Sequence, residues 1–339
     1  MCMLMAGCEG SVASSEPASK SAIRDFPTPQ GRILTANQGA NSVSLIDVAT
    51  DTAYGTIPTG QQPHHVLATP DGKEFWVSLY KENRVQVFDA KTLAEVASVD
   101  VGGSNDDLAF DPQGRRLYVS LGQNNAIAVV DVAAHKLVQT VKVGSVPHGV
   151  KVTPDGKTLL VTNTADNTIS VLSLEPEAKV DATVKTGANP FEVTISPDSN
   201  TAYVSNFLGD SVSVVDLRLK KTVSTIRSGK QPAMIALVAG AQAQGGQAQN
   251  TAPSGKDLLA VANTGSADVW FIDPATRKLV TRVPAGQGAH GVVATPAGKL
   301  YVTNANDSTV TVIDQAATRD LKTLAVANNP NGLTYLPNP

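Results

Sequence analysis

An aspartate returns down this chain at a nearly constant interval. Asp47, Asp89 and Asp131 stand 42 residues apart, and Ser173 takes the next place after another 42. Asp216, Asp273 and Asp314 follow at steps of 43, 57 and 41. Ten residues before each lies Asn37, Leu79, Leu121, Asn163, Asn206, Asn263 or Asn304. Six residues after each of those, an apolar residue (Val43, Val85, Ile127, Ile169, Val212, Val269, Val310) opens another run. Seven copies with one insertion restrict the chain to a repeat architecture, in which each unit buries its faces on its neighbours.

Within a copy the punctuation is that of β-hairpins. Thr-Pro-Asp-Gly at Thr69–Gly72 recurs, with variation, at Asp111, Thr153, Ser196 and Thr295. Pro presets φ, Asp bonds the amides of its own turn, and Gly accepts the left-handed position. The repeated Asp closing the later strand reads as the same kind of turn acceptor rather than a catalytic acid. In the fourth copy the strand-length runs are Val150–Thr153, Thr158–Thr162, Thr168–Leu172 and Asp181–Lys185, rich in Val, Ile and Thr with no helical period. Four short strands at about forty residues predict an all-β fold, a β-propeller of four-stranded antiparallel blades. The N-terminal copy, Arg32–Gly60, lacks a first strand, and Asn331–Leu336 is a first strand without a copy. Joined in one blade, the two termini close the ring at seven blades and hide their edges.

The segments Leu160–Asn163, Tyr203–Asn206 and Tyr301–Asn304, with Ser213–Asp216 and Thr311–Asp314, resemble the YVTN repeat. The resemblance is to the seven-bladed propellers of surface-layer and YncE-like periplasmic proteins, and it spans Arg32 to Leu336. Leu79 and Leu121 depart from it where Asn is expected. It implies an extracytoplasmic location and a binding or surface role.

The formal net charge is −3 with neither sign clustered, so the basic stripe that nucleic acid requires is absent. Residues 1–8 read as a truncated lipoprotein-type signal: Leu4-Met-Ala-Gly-Cys8 resembles a lipobox, with Cys8 the residue lipidated, although a basic start and a full apolar core are missing. This predicts a lipid-anchored protein of the periplasm or cell surface, touching the membrane only through Cys8. Both cysteines, Cys2 and Cys8, lie here, leaving the propeller without disulfide or thiol nucleophile. Residues 9–30, rich in Ser, Ala and Pro, read as a flexible tether, and residues 31–339 as one propeller. The sixth blade carries a Gly/Gln-rich insertion at about residues 239–255.

The residues just ahead of each blade's first strand are expected at the mouth of the central channel, where convergent loops make a concave site. The aligned position holds His64, Asp106, His148, Phe191, Ala233, His290 and, in the closing strand, Asn331. His64, His148 and His290, with Asp106 as a further candidate, are read as ligands for a transition metal or an anionic ligand, since imidazole suits Zn, Cu, Fe or Ni. The competing reading packs each His beside its neighbour, bonded to a backbone carbonyl; blades two, four and seven are not adjacent, so the rings are expected to stand apart. Glu192 and Asp107 are offset by one residue, which in a regular strand turns them away from the mouth. Nucleophile elbow, P-loop, dinucleotide fingerprint and HExxH motifs are all missing. The expectation is therefore a monomeric, non-enzymatic propeller that binds a protein, a cell-envelope partner or a small ligand at the mouth. The alternatives are a metal-binding protein or metal-dependent enzyme using the histidines, a lactonase-like hydrolase, for which no carboxylate pair is evident, and an adhesion protein.

Overall fold

The computed structural model describes residues 31–238, 257–314 and 319–337. Among them, twenty-eight strands form seven antiparallel sheets of four. The fourth blade is typical: Pro147–Val152, Thr158–Asn163, Thr168–Ser173 and Lys179–Lys185, paired in that order. Innermost strands of successive blades pack on one another around the axis. Ring closure is as the termini predict: Pro330–Leu336 pairs with Arg32–Asn37, setting Arg32 opposite Leu336 and Asn37 opposite Pro330. The described residues contain no α-helix, only two 3-10 turns at Gly122–Asn124 and Phe207–Gly209. The signal at residues 1–8 with Cys8, the tether and the insertion at 239–255 lie outside the described residues.

Burial explains the uninterrupted apolar runs. Middle strands such as Leu258–Asn263 are buried along their whole length because both faces meet a neighbouring sheet. Outermost strands such as Lys136–Lys142 alternate exposed and half-buried residues. The repeated aspartates cap the turns that follow them: Asp47 accepts the Ala49 amide at 2.9 Å, and Asp216 those of Arg218 and Leu219 at 2.9 and 2.8 Å. The Thr-Pro-Asp-Gly turns behave likewise, with the Thr69 hydroxyl donating to Asp71 at 2.8 Å and Gly72 at φ +69°.

The polar letters of the repeat join blade to blade. Asn206 Nδ2 donates to Ser211 and Ser213, while its Oδ1 accepts the Gly187 amide from the preceding blade. Gly187 sits so close that a Cβ there would lie 2.6 Å from Asn206 Nδ2. In the second blade, where Leu79 replaces this Asn, Gln86 accepts the Gly60 amide at 2.7 Å and Glu82 that of Gln61 at 2.6 Å. The departure from the repeat at Leu79 is thereby compensated locally.

The innermost strands begin about three residues earlier than the apolar pattern suggests, and the difference shapes the channel. In the fourth blade Pro147 pairs with Asn163, but Val150 pairs with Val161, so His148 and Gly149 together face Thr162. This is a β-bulge, and it recurs where His64–His65 face Ser78, Phe191–Glu192 face Ser205, and His290–Gly291 face Thr303. The hydroxyl opposite holds it open. Thr162 Oγ1 accepts the Gly149 amide at 2.8 Å and donates to the Phe191 carbonyl of the next blade at 2.9 Å. Ser205 does the same between Glu192 and Ala233. An irregularity that could be mistaken for a loose strand end is thus a hydrogen-bonded joint between adjacent blades.

Candidate active site at the channel mouth

The two-residue alternation fails at the mouth, because a bulge inserts a residue beside Glu192 and because Asp107 precedes the short strand Leu108–Phe110 and lies outside its alternation. The residues expected to turn away turn inward: Asp107 and Glu192 line the same narrow cavity as His64, His148, His290 and Asn331, together with His65, Met234 and Gly332. The channel is therefore lined by two stacked tiers, one from each bulge position. The first tier holds the residues aligned in the sequence, the second His65, Asp107, Gly149, Glu192, Met234, Gly291 and Gly332. The doublet just ahead of the apolar run, preceded by Pro in five of the seven copies and with glycine as its second member in three, is the sequence signal for this tier.

In the upper tier the three imidazoles converge despite coming from non-adjacent blades. The His64 ring centre lies 5.3 Å from that of His148 and 6.5 Å from that of His290, both edge to face. The expectation that these rings stand too far apart for one ion is corrected for His64 and His148, which share a cluster with Asp106, but not for His290, which lies beside it. Phe191 packs on His148 at 3.9 Å and lies 5.5 Å from His290. Asn331 Nδ2 donates to Gln38 at 3.3 Å. Ligand atoms of His64, Asp106 and His148 all lie within 4.8 Å of one another. Carbonyl-bonded packing holds for His148, whose Nδ1 meets the Phe191 carbonyl at 3.2 Å. Nδ1 of His64 and Nδ1 of His290 are buried without a partner.

The lower tier is a charge network. His65 Nδ1 contacts Asp107 Oδ1, and the other oxygen of Asp107 accepts the Val150 amide at 2.9 Å. Glu192 hydrogen-bonds Asp107 as well and accepts the Val193 amide at 2.8 Å. Glycine makes this possible. A Cβ at Gly149 would lie 2.9 Å from Glu192 Oε1, and one at Gly332 only 2.1 Å from His65 Cδ2. Glu192 crosses the space a fourth-blade side chain would fill, and a carboxylate pair results.

Ionisation follows from this arrangement. Burial would raise Asp107, but the attraction and hydrogen bond of His65 outweigh it and hold the carboxyl well below the usual range. Burial, then the charge of Asp107, push Glu192 well above its ordinary value, so it stays protonated and donates to Asp107. Burial and the Asp107 charge raise Asp106 to about 7, against one hydrogen bond from the Gly122 amide. Burial, then the neighbouring imidazoles of His148, His290 and His65, hold His64 well below its ordinary value. His148 is lowered chiefly by burial. His290 falls to about 3 through burial and repulsion from His148 and His65. The upper tier therefore offers three neutral imidazoles and a carboxyl poised near neutrality. His135, the remaining histidine, lies away from this mouth and meets Glu74 at 3.2 Å.

Residues 23–180, a little under half of the chain, match the family model described as "Lactonase, 7-bladed beta-propeller". No curated protein matches the chain. Among solved structures it is similar to the periplasmic gluconolactonase PpgL of Pseudomonas aeruginosa, 20% identical with a TM-score of 0.72, covering 91% of this chain and 99% of that one. A putative 6-phosphogluconolactonase from Bacteroides fragilis is 17% identical at 0.72, with 94% and 99% covered. Kuenenia stuttgartiensis hydrazine synthase is 23% identical at 0.64, with 75% and 76% covered. At such identities the likeness speaks for the fold, which these proteins use for different purposes. The expectation of a non-enzymatic binding scaffold is overturned by the lactonase family match, and the argument that set the lactonase reading aside fails with the Asp107–Glu192 pair. The chain is a seven-bladed β-propeller whose N-terminal part is similar to the lactonase propellers.

Proposed function

We propose that this protein hydrolyses a lactone at the channel mouth. The observation that carries the reading is the gathering of His64, Asp106 and His148 from three blades into one 4.8 Å cluster. Asp106 ionises at about 7, where a general base is most effective near neutral pH. Opening a lactone requires water to add to the ester carbonyl, the carbonyl carbon to part from the ring oxygen, and the water's proton to reach that oxygen. The product is a hydroxy acid. Asp106 takes the proton, while the neutral imidazoles orient the water.

Phe191, with Phe207 at 5.4 Å, and Tyr80, at 6.2 Å from His64, supply apolar walls for the carbon face of a small ring. No aligned mouth position carries Lys or Arg, which favours an uncharged lactone over a phosphorylated one. The lactonase family match and the likeness to a gluconolactonase and a putative 6-phosphogluconolactonase support the reaction class. The YVTN-like repeat residues concern the scaffold and carry no substrate information.

The test is acid release from glucono-1,5-lactone and related aldonolactones, followed by pH-stat against spontaneous opening. Catalysis is expected, with Asp106→Asn lowering kcat about 10²–10⁴-fold, the range for loss of a general base. A rate no higher than background across the panel, or an unimpaired Asp106→Asn enzyme, refutes the proposal.

A further inference from the structure

The geometry points to a metal centre: we propose that His64, Asp106 and His148 bind one divalent first-row transition ion, leaving at least one coordination position open. The inference deepens the hydrolase reading and rests on it only for the ion's role.

Three observations converge. The first is distance: one ligand atom from each side chain lies within 4.8 Å of the other two, so side-chain adjustments of under about an ångström would bring all three to the bond length of about 2 Å that such an ion requires. The second is tautomer. His148 Nδ1 donates its proton to the Phe191 carbonyl at 3.2 Å, which leaves Nε2 as the lone-pair nitrogen. A backbone acceptor behind a histidine is the usual outer partner of a metal-binding imidazole. The third is an unmet need: Nδ1 of His64 is buried with no hydrogen-bond partner, an arrangement that costs about 1–3 kcal/mol unless something satisfies the ring.

Two imidazoles and one carboxylate suit Zn, Fe(II) and their neighbours rather than Mg or Ca, which demand oxygen ligands. Three protein ligands, instead of the four of a structural site, leave room for water. With Asp106 given to the ion as a ligand, the ion rather than the Asp106 carboxyl would activate the water, lowering its pKa toward neutrality, and would polarise a lactone carbonyl. Of the set read in the sequence, His64 and His148 are kept, with Asp106 as the third ligand, while His290 falls outside the cluster with its ring 6.5 Å from that of His64.

Untagged, chelator-treated protein is titrated with Zn²⁺ by calorimetry and with Co²⁺ by visible absorption. One ion per chain is expected. Asp106→Asn and His64→Ala should each weaken binding by at least the 10–100-fold that removing an outer partner costs, while His135→Ala binds as the parent does. Circular dichroism melts confirm that each variant folds, and His148→Gln replaces any that does not. Absence of stoichiometric Zn²⁺ binding, or parent-like binding by folded Asp106→Asn, overturns the site. Stoichiometric binding without lactone hydrolysis supports the site and sinks the hydrolase reading. Hydrolysis undiminished in protein freed of metal overturns the ion's role and leaves the hydrolase reading standing.

Discussion

A single methyl group added at Gly332 should disable the charge network from the neighbouring closing blade. The new Cβ would lie 2.1 Å from Cδ2 of His65, and 2.9 Å from both the His64 carbonyl oxygen and the His65 Cα. Gly332 does not have a positive φ, so Gly332→Ala introduces no left-handed strain and its cost is steric. Ordinary contact needs well over 3 Å, so the His65 ring must move by more than an ångström. Its contact with Asp107 cannot survive that shift. Overpacking of this kind costs about 1–3 kcal/mol, and leaving the buried Asp107 carboxylate without its His65 partner costs about 3–5 kcal/mol because its charge stays uncompensated. The two losses are one event, so the expected total is about 3–5 kcal/mol. Equilibrium unfolding in guanidinium chloride measures it as a lower midpoint. The double variant His65→Ala/Gly332→Ala tests the cause: without the ring, the added methyl should cost at least 1 kcal/mol less, the scale of coupling between touching residues. A Gly332→Ala protein within about 0.5 kcal/mol of the parent, or strict additivity in the cycle, refutes the reasoning.

Two further outcomes follow from the same contacts. Glu192 has a folded pKa raised above its unfolded value, so the folded state binds more protons and stability falls as pH rises from the ordinary Glu range to that raised value, by up to about 1.4 kcal/mol per pH unit. Glu192→Gln keeps the shape and cannot ionise, so its advantage over the parent should grow from pH 4 to pH 8 in denaturant titrations; an equal difference at both pH values would contradict this. Asp107 shifts in the opposite sense but is common to both proteins, so its contribution largely drops out of the comparison. Asn206→Ala loses bonds to Ser211, Ser213 and the Gly187 amide and should cost about 2–4 kcal/mol at roughly 1 kcal/mol per bond. Leu79→Asn in the second blade should gain nothing comparable, because Gln86 already accepts the Gly60 amide. Urea unfolding distinguishes the two, and similar gains and losses would be the adverse result.

Most of the scaffold was legible because its causes are local. A turn that needs Pro, Asp and Gly in fixed order announces itself, and so does an Asn that must reach hydroxyls five and seven residues on. The closing blade was readable from two incomplete copies. The site was legible only in its upper tier. His64, Asp106, His148, Phe191, His290 and Asn331 fell at one aligned position, but Asp107 and Glu192 were assigned the wrong direction and His65 was given no place. Alternation along a strand assumes one residue per partner, and the bulge sets two against one.

The sequence by itself determined the repeat, the number of blades and the identity of the side chains delivered toward the axis, since each depends on periodicity and short-range hydrogen bonding. Tertiary structure alone decided which of them meet. His65, Asp107 and Glu192 come from three blades and touch because the ring is narrow at its centre and because Gly149 and Gly332, in two other blades, leave space across it. Distance through a closed ring is set by curvature and by what neighbouring blades omit, quantities that no single copy of the repeat contains.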